Sequence, residues 1–224
     1  MKKYRLIFSI TFYTILFFLF STFAMADNNN AKKRVVYRTV TINPGMSGEK
    51  IQAIFRKLNS SSNVKVLVKS GRYVYIGSIE LRSCRNIKVI GIGKVEFITK
   101  FLMADVFSIK NCINISIKNI RMYHLRNKIQ PGCEGSVLSI DECSKIKIIG
   151  CFLNGCGAEG LYCRDSKEIE VKSCRIFYNT SCGIILINCR DVYIINNKIY
   201  NNRRSIKILT SSYVELEGNY IRNN

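Results

Sequence analysis

No Cys-x-x-Cys pair occurs in these 224 residues, although the chain has ten cysteines. The usual thiolate spacing of a structural zinc site is therefore missing. Histidine is almost absent. His124 is the only one, so a single side chain has an ordinary titration near neutral pH. Proline occurs only as Pro44 and Pro131, which leaves two places for any motif built around proline. Acidic residues are scarce, 15 against 35 lysines and arginines, for a formal net charge of +20. Beyond residue 23 no apolar run is long enough to cross a bilayer.

What is present begins with the first 26 residues. Lys2, Lys3 and Arg5 make a basic start, residues 6–23 are apolar with a few hydroxyls, and Ala24-Met25-Ala26 is a small-x-small cleavage site. This reads as a secretory signal peptide, residues 1–26, followed by a flexible basic lead over 27–37. The alternative is an uncleaved anchor. Cleavage places the mature chain outside the cell or in the periplasm. Removing Lys2, Lys3 and Arg5 from the +20 leaves +17. Such a field draws polyanions. For an exported chain the expected partner is acidic polysaccharide or an anionic envelope surface, with no nucleic acid, and no membrane once the signal is removed. A plain compositional bias toward Lys, Asn and Ile is the alternative.

The rest of the chain repeats. Cys84, Cys112, Cys143, Ser166, Cys189 and Ser211 serve as anchors, separated by 28, 31, 23, 23 and 22 residues. Five and three residues before each anchor, and three and five after, the residue is apolar at all 24 positions if Cys163 counts. Apolar residues two apart form a strand with one face inward. Such doublets recurring about every 22 residues describe a coil of a parallel β-solenoid, whose coils bury their inward residues only by stacking. Gly or Asn stands seven or eight residues past most anchors, as in Gly91, Asn119, Gly150, Asn196, Asn197, Gly218 and Asn219, which suits a left-handed corner.

This layout resembles the right-handed parallel β-helix repeats of the pectin-lyase-like superfamily. Asn197 and Asn219 match the asparagine ladder often seen there, with Cys151 and Cys174 replacing it in earlier coils. Residues 46–58 read as a short amphipathic helix with Ser47 as N-cap, then comes a strand over 64–68 and a Gly71-Arg72-Tyr73 turn. Family members open in a similar way. The resemblance implies an all-β, single-stranded right-handed parallel β-helix over 38–224, of about six to seven coils, with a short N-terminal capping helix.

It also implies that substrate would lie on the outer face of the first sheet. There the outward columns read Glu80, Ser108, Ser139, Tyr162, Ile185, Lys207 and Arg82, Lys110, Asp141, Arg164, Ile187, Leu209, with Glu142 and Asp165 at the adjoining turn. Asp141, Glu142 and Asp165 are the candidates for general acid or base. Lys110 and Arg164 are the candidates to abstract a proton beside a carboxylate in a β-elimination. Glu80, Arg82, Tyr162 and His124 are the candidates to hold substrate. No cofactor is expected, and if a metal takes part it is Ca²⁺ on Asp141, Glu142 or Asp165. The alternative for the same charges is a ladder of surface ion pairs.

The named enzyme motifs of the superfamily are missing. No Arg-x-Pro-x-x-Arg surrounds either proline. Asp141-Glu142, His124 and Arg204-Ser205-Ile206-Lys207 each match only fragments of the polygalacturonase blocks, and pectin methylesterases are poorly supported. The function implied is an exported protein that binds or acts on acidic polysaccharide, as lyase, hydrolase or epimerase. The alternative is a non-catalytic envelope or surface β-helix, one form of which is a shortened remnant of an enzyme. Three further expectations concern single features. A long insert spans 123–136, with His124 in it. Cys84, Cys112 and Cys143, and again Cys151 and Cys174, stack as mostly reduced thiols, while Cys156 and Cys182 are the best disulfide pair and Cys133 has no evident partner. Ile185, Ile187 and Leu209, or the uncapped last coil, offer a surface for self-association.

Overall fold

The doublets form three parallel sheets wound around one core. The computed structural model describes residues 35–125, 132–155 and 157–223. The first sheet holds Ile79–Arg82, Phe107–Lys110, Leu138–Asp141, Glu159–Arg164, Cys182–Ile187 and Ile206–Leu209. The second holds Arg38–Ile42, Ser62–Val68, Arg85–Gly91, Ile113–Lys118, Ser144–Ile149, Lys167–Lys172, Arg190–Ile195 and Ser212–Glu217. The third holds Gly71–Tyr75, Val95–Thr99, Arg121–His124, Phe152–Asn154, Arg175–Phe177, Lys198–Tyr200 and Tyr220–Arg222. Each complete coil runs from first to second to third sheet. Six coils are complete. Because the second sheet starts two strands earlier and has eight, the solenoid makes about eight turns rather than six to seven. Residues 37–224 are one compact unit. The signal segment and most of the basic lead lie outside the described residues. Among the described residues no helix is long and apolar enough to cross a membrane.

The N-terminal end is closed as expected. Helix α1 (Gly48–Leu58) is capped by Ser47, whose hydroxyl accepts the Lys50 amide at 3.3 Å, and it buries Ile51, Phe55 and Leu58. Phe55 enters the core edge-on to Phe107 and Phe97, with ring centroids 5.5 and 6.2 Å away. The Gly71-Arg72-Tyr73 segment is the start of a strand rather than a turn.

The corners explain the anchors. A chain that turns sharply leaves amides unpaired by either sheet, and a buried unpaired amide is costly. Here the anchor side chains of Cys112, Cys143, Ser166 and Ser211 each accept the anchor amide of the preceding coil. The Cys84 amide donates to Cys112 Sγ at 3.2 Å and the Cys112 amide to Cys143 Sγ at 3.3 Å. The Cys143 amide donates to Ser166 Oγ at 3.0 Å and the Cys189 amide to Ser211 Oγ at 2.9 Å. Each anchor in turn donates to the carbonyl two residues before it, as Cys112 does to Lys110 O at 3.2 Å and Ser166 to Arg164 O at 2.6 Å. Cysteine and serine are thus used alike, as small side chains that both accept and donate. Asparagine does the same at the second corner, where the Cys174 amide meets Asn197 Oδ1 at 2.8 Å and the Asn197 amide meets Asn219 Oδ1 at 2.9 Å.

Left-handed residues stand at both corners. At the second they are Asn119, Gly150, Ser173, Asn196 and Gly218, as the composition suggested. Gly91 is the exception. It does not have positive φ, and it is glycine because a Cβ there would run into the Asn119 carbonyl oxygen. At the first corner Ser83, Asn111, Glu142, Asp165, Asn188 and Thr210 all have φ between 47° and 56°, a pattern the sequence reading did not anticipate.

Three expectations need correction. Cys182 is a free thiol donating to Ile184 O at 3.1 Å, whereas Cys133 is disulfide-bonded, and Cys156 lies outside the described residues. Among the described residues the stacked cysteines are all unbridged thiols, each no more than 4% exposed. His124 is not on a loop. The third-sheet strand runs on past Met122 and pairs His124 with Thr99, which carries the imidazole inward to complete burial. The supposed outer apolar strip is mostly covered, since Ile185 is only 8% exposed and Leu209 alone of the three reaches 39%.

If the anchors act as amide acceptors, Cys112→Ser keeps both of its hydrogen bonds and is expected to change unfolding free energy by less than about 1 kcal/mol. Cys112→Val fills the space but strands the Cys84 amide, at a cost of about 1–3 kcal/mol. Urea titration of the two variants decides it; equal losses would mean that volume alone matters at the anchor.

Candidate functional site

The parallel register builds the outer face of the first sheet as the repeat requires. Arg82, Lys110, Asp141, Arg164, Ile187 and Leu209 stand in one row across the strands, and Glu80, Ser108, Ser139, Tyr162, Ile185 and Lys207 in the other. Within the first row Asp141 sits between two cations. Arg164 grips it in a two-pronged pair, Nε to Oδ1 at 2.9 Å and Nη2 to Oδ2 at 3.0 Å, and Lys110 Nζ reaches Oδ2 at 3.0 Å. The Arg164 hydrogen bonds, aided by Lys110, hold the Asp141 carboxyl below the usual carboxylate range, and the same bonds push Arg164 further up. An aspartate so held is a poor base, and its oxygens are already occupied. An arginine so held does not release its proton. Glu80 pairs with Arg82 on the same strand at 3.6 Å, both side chains about half exposed, so this pair adds little. Tyr162 is half-buried and stands in the other row, next to Ser139.

Glu142 and Asp165 adjoin this clamp in the chain, one residue past Asp141 and Arg164. They occupy the left-handed first corner and line an open groove of about 700 Å³ with Lys167, Asn188 and Arg190. Asp165 accepts Asn188 Nδ2 at 2.6 Å and lies 3.6 Å from Arg164 Nε. Their type is explained in part by the corner itself, since Asp tolerates positive φ well. As a Ca²⁺ site the set does not fit. Asp141 is committed to its cations, and among the described residues no three His, Cys, Asp or Glu side chains converge to hold a metal.

His124 takes no part in the patch. Its Nε2 faces Ala104 O at 2.9 Å, and burial pushes its pKa down, so it is neutral at neutral pH. The candidate residues are therefore dispersed: Lys110, Asp141 and Arg164 are brought together, Glu142 and Asp165 line the neighbouring groove, Glu80 and Arg82 form a separate surface pair, and His124 is inside.

A set that sequence reasoning missed lies at the start of the first-sheet strands, where Asp105, Ser136 and Glu159 hold the position seven before successive anchors. The Ser136 amide donates to Asp105 Oδ1 at 2.8 Å, and its hydroxyl donates to Glu159 Oε2 at 3.0 Å. Ser139 Oγ donates to Asp105 Oδ2 at 2.6 Å. Burial, with the nearby Asp105 charge, raises the Glu159 pKa. The signal was available as a polar column at a constant offset from the anchors, just outside the apolar doublets.

The family model for the right-handed β-helix region matches residues 85–224. The chain belongs to that family. Solved structures similar to this β-helix protein include Escherichia coli ybhc, at 10% identity and TM-score 0.46, over 75% of this chain and 64% of that one. A pectin methylesterase from Aspergillus niger is similar at 12% identity and TM-score 0.44, over 81% and 91%. The pectate lyase Pel9A is similar at 16% identity and TM-score 0.46, over 75% and 55%. The β-helix protein thus spans less than two thirds of the length of ybhc and of Pel9A. At these identities the likeness is one of fold and assigns no activity. No curated protein matches the chain.

The clamp has a pH signature. A carboxyl held below its ordinary value, about 3.9 for aspartate, adds stability above that pH and loses it as pH falls through the lowered value. Asp141→Asn is therefore expected to flatten the loss of stability on acidification below about pH 4. Unfolding curves that keep the wild-type slope there would show that the clamp does not contribute.

Proposed function

We propose that this β-helix protein is exported and binds acidic polysaccharide without cleaving it. The observation that carries the reading is the cationic excess left once residues 1–26 are removed, 32 lysines and arginines (35 less Lys2, Lys3 and Arg5) against 15 acidic residues, most of the cations standing on a rigid stack of coils. A stiff rod with cations at fixed spacing holds a charged polymer at little cost in ordering. The Asp141 clamp supports the non-catalytic part. The acidic residue at the centre of the first-sheet face is tied up by Lys110 and Arg164 rather than poised for proton transfer.

A second reading, a hydrolase, lyase or epimerase acting on the same polymer, has one specific observation in its favour. Glu159 is a carboxyl of raised pKa next to Asp105, the kind of group that serves as general acid. One experiment separates the two. Residues 27–224 are incubated with a panel of polyuronates over a range of salt, and both retention and product are followed. The binding reading expects retention that falls steeply as salt rises, with polymer length and sugar configuration unchanged. Products that vanish in Glu159→Gln would establish the enzyme instead. Retention indifferent to salt would contradict both the charge argument and the binding reading.

A further inference from the structure

The first sheet is not where the cations are unbalanced. Its outward cations Arg82, Lys110, Arg164 and Lys207 are matched by Glu80 and Asp141 on the face and Glu142 and Asp165 at the corner. The outer face of the third sheet differs. Its outward cations are Arg72, Arg121, Arg175, Lys198 and Arg222, against one outward carboxylate, Glu96, which Lys94 approaches at 3.5 Å. Glu96, Arg121, Phe152, Arg175, Lys198 and Tyr220 follow one another coil by coil in a single row.

Aromatic rings hold this row in place. The guanidinium carbons of Arg121 and Arg175 lie 4.5 and 5.2 Å from the centroid of Phe152, one from the coil before it and one from the coil after. A guanidinium over a ring keeps its N–H groups for a planar anion while losing little side-chain freedom when one binds. Among the described residues neither arginine has an ion-pair partner. In the neighbouring row Phe177 and Tyr200 stack on each other, centroids 5.0 Å apart and planes within 2°. Beside them Arg175, Lys198, Tyr200 and Tyr220 line an open groove of about 360 Å³.

This arrangement selects among polyanions. Single-stranded nucleic acid is held by bases stacking on free ring faces. Here Phe152 lies between two arginines and Phe177 and Tyr200 each turn one face to the other, so these rings serve as supports, and in the row only Tyr220, half exposed, has a ring free to stack. What remains to offer is a line of cations spaced by the coil repeat, about 4.8 Å from Arg175 to Lys198 and about 10 Å from Arg121 to Arg175. A guanidinium pairs with a carboxylate through two parallel hydrogen bonds. We infer that the outer face of the third sheet, from Arg121 to Tyr220, is the docking surface for acidic polysaccharide, a uronate-bearing chain lying along the rod axis with its carboxylates on Arg121, Arg175 and Lys198.

The inference rests on the polysaccharide-binding reading and is tested apart from it. Residues 27–224, the double variant Arg121→Gln/Arg175→Gln, the single variant Lys198→Gln, and a first-sheet control, Arg82→Gln/Lys207→Gln, are titrated with labelled polygalacturonate, alginate and a short single-stranded DNA. Melting temperature is followed in parallel. The third-sheet double variant is expected to lose about tenfold or more in polyuronate affinity, through two lost charge-assisted hydrogen-bond pairs. Lys198→Gln, whose exposed side chain has no packing role to lose, is expected to weaken binding severalfold, and the control, which removes the same charge as the double variant, less than about twofold. Equal losses in the double variant and the control would overturn the surface while leaving the polysaccharide reading intact, as would unchanged affinity in both third-sheet variants. Failure of the unsubstituted chain to bind any polyuronate would overturn both. Binding of the DNA in preference to the polyuronates, abolished by the same third-sheet variants, would reassign the face to nucleic acid and overturn the inference.

Discussion

Everything on the outside of this rod depends on how its corners satisfy their backbone amides. The sheets pair their own backbone groups, but between one sheet and the next the chain must turn with the anchor amide pointing into the core. That amide finds its acceptor in the side chain one coil further on, a cysteine, a serine or an asparagine. The bond therefore ties each coil to its neighbour at one register. Slipping a strand by one residue would break the ladder and turn the apolar doublets outward. The exterior rows, including the charged ones, inherit their alignment from this interior constraint.

The role of the cysteines follows from the same source. If the chain is exported, as proposed, ten cysteines would ordinarily suggest a disulfide framework. Here Cys112 and Cys143 are small inward side chains whose sulfur both accepts an amide and donates to a carbonyl, the work that Ser166 and Ser211 do elsewhere in the same column. The hydrogen bond to Cys112, together with burial, pushes the Cys84 thiol up, which keeps it protonated and unreactive. Stability comes from stacking, and the thiols are part of the stack.

Much of this was legible in the sequence because it repeats. The apolar doublets around Cys84, Cys112, Cys143, Ser166, Cys189 and Ser211 locate the strands, and counting outward from them aligns Arg82, Lys110, Asp141 and Arg164 in one row, as the register has them. What repetition did not convey was side-chain direction where the pattern ends. Met122 closes a doublet-like run, yet the strand continues one pair further and buries His124 opposite Thr99. The column Asp105, Ser136, Glu159 was overlooked because it has no common residue type, only a common offset. The ion pairs of Asp141 were foreseeable as an alternative to chemistry, but the two-pronged geometry with Arg164 could come only from three dimensions. The third-sheet rows escaped notice because the superfamily resemblance directed attention to the first sheet, and because short strands such as Arg175–Phe177 have too few residues to show a pattern one at a time.

The most direct test of the corner constraint is amide hydrogen exchange of the folded chain, resolved residue by residue. The amides of Cys84, Cys112, Cys143, Cys174, Cys189 and Asn197 lie outside or at the ends of the strands, yet each has an interior acceptor from the next coil. They are expected to exchange as slowly as mid-strand amides of the second sheet such as Ile115 and Ile146. Exchange at the rate of open turns would contradict the account, and the outer rows would then need another source for their alignment.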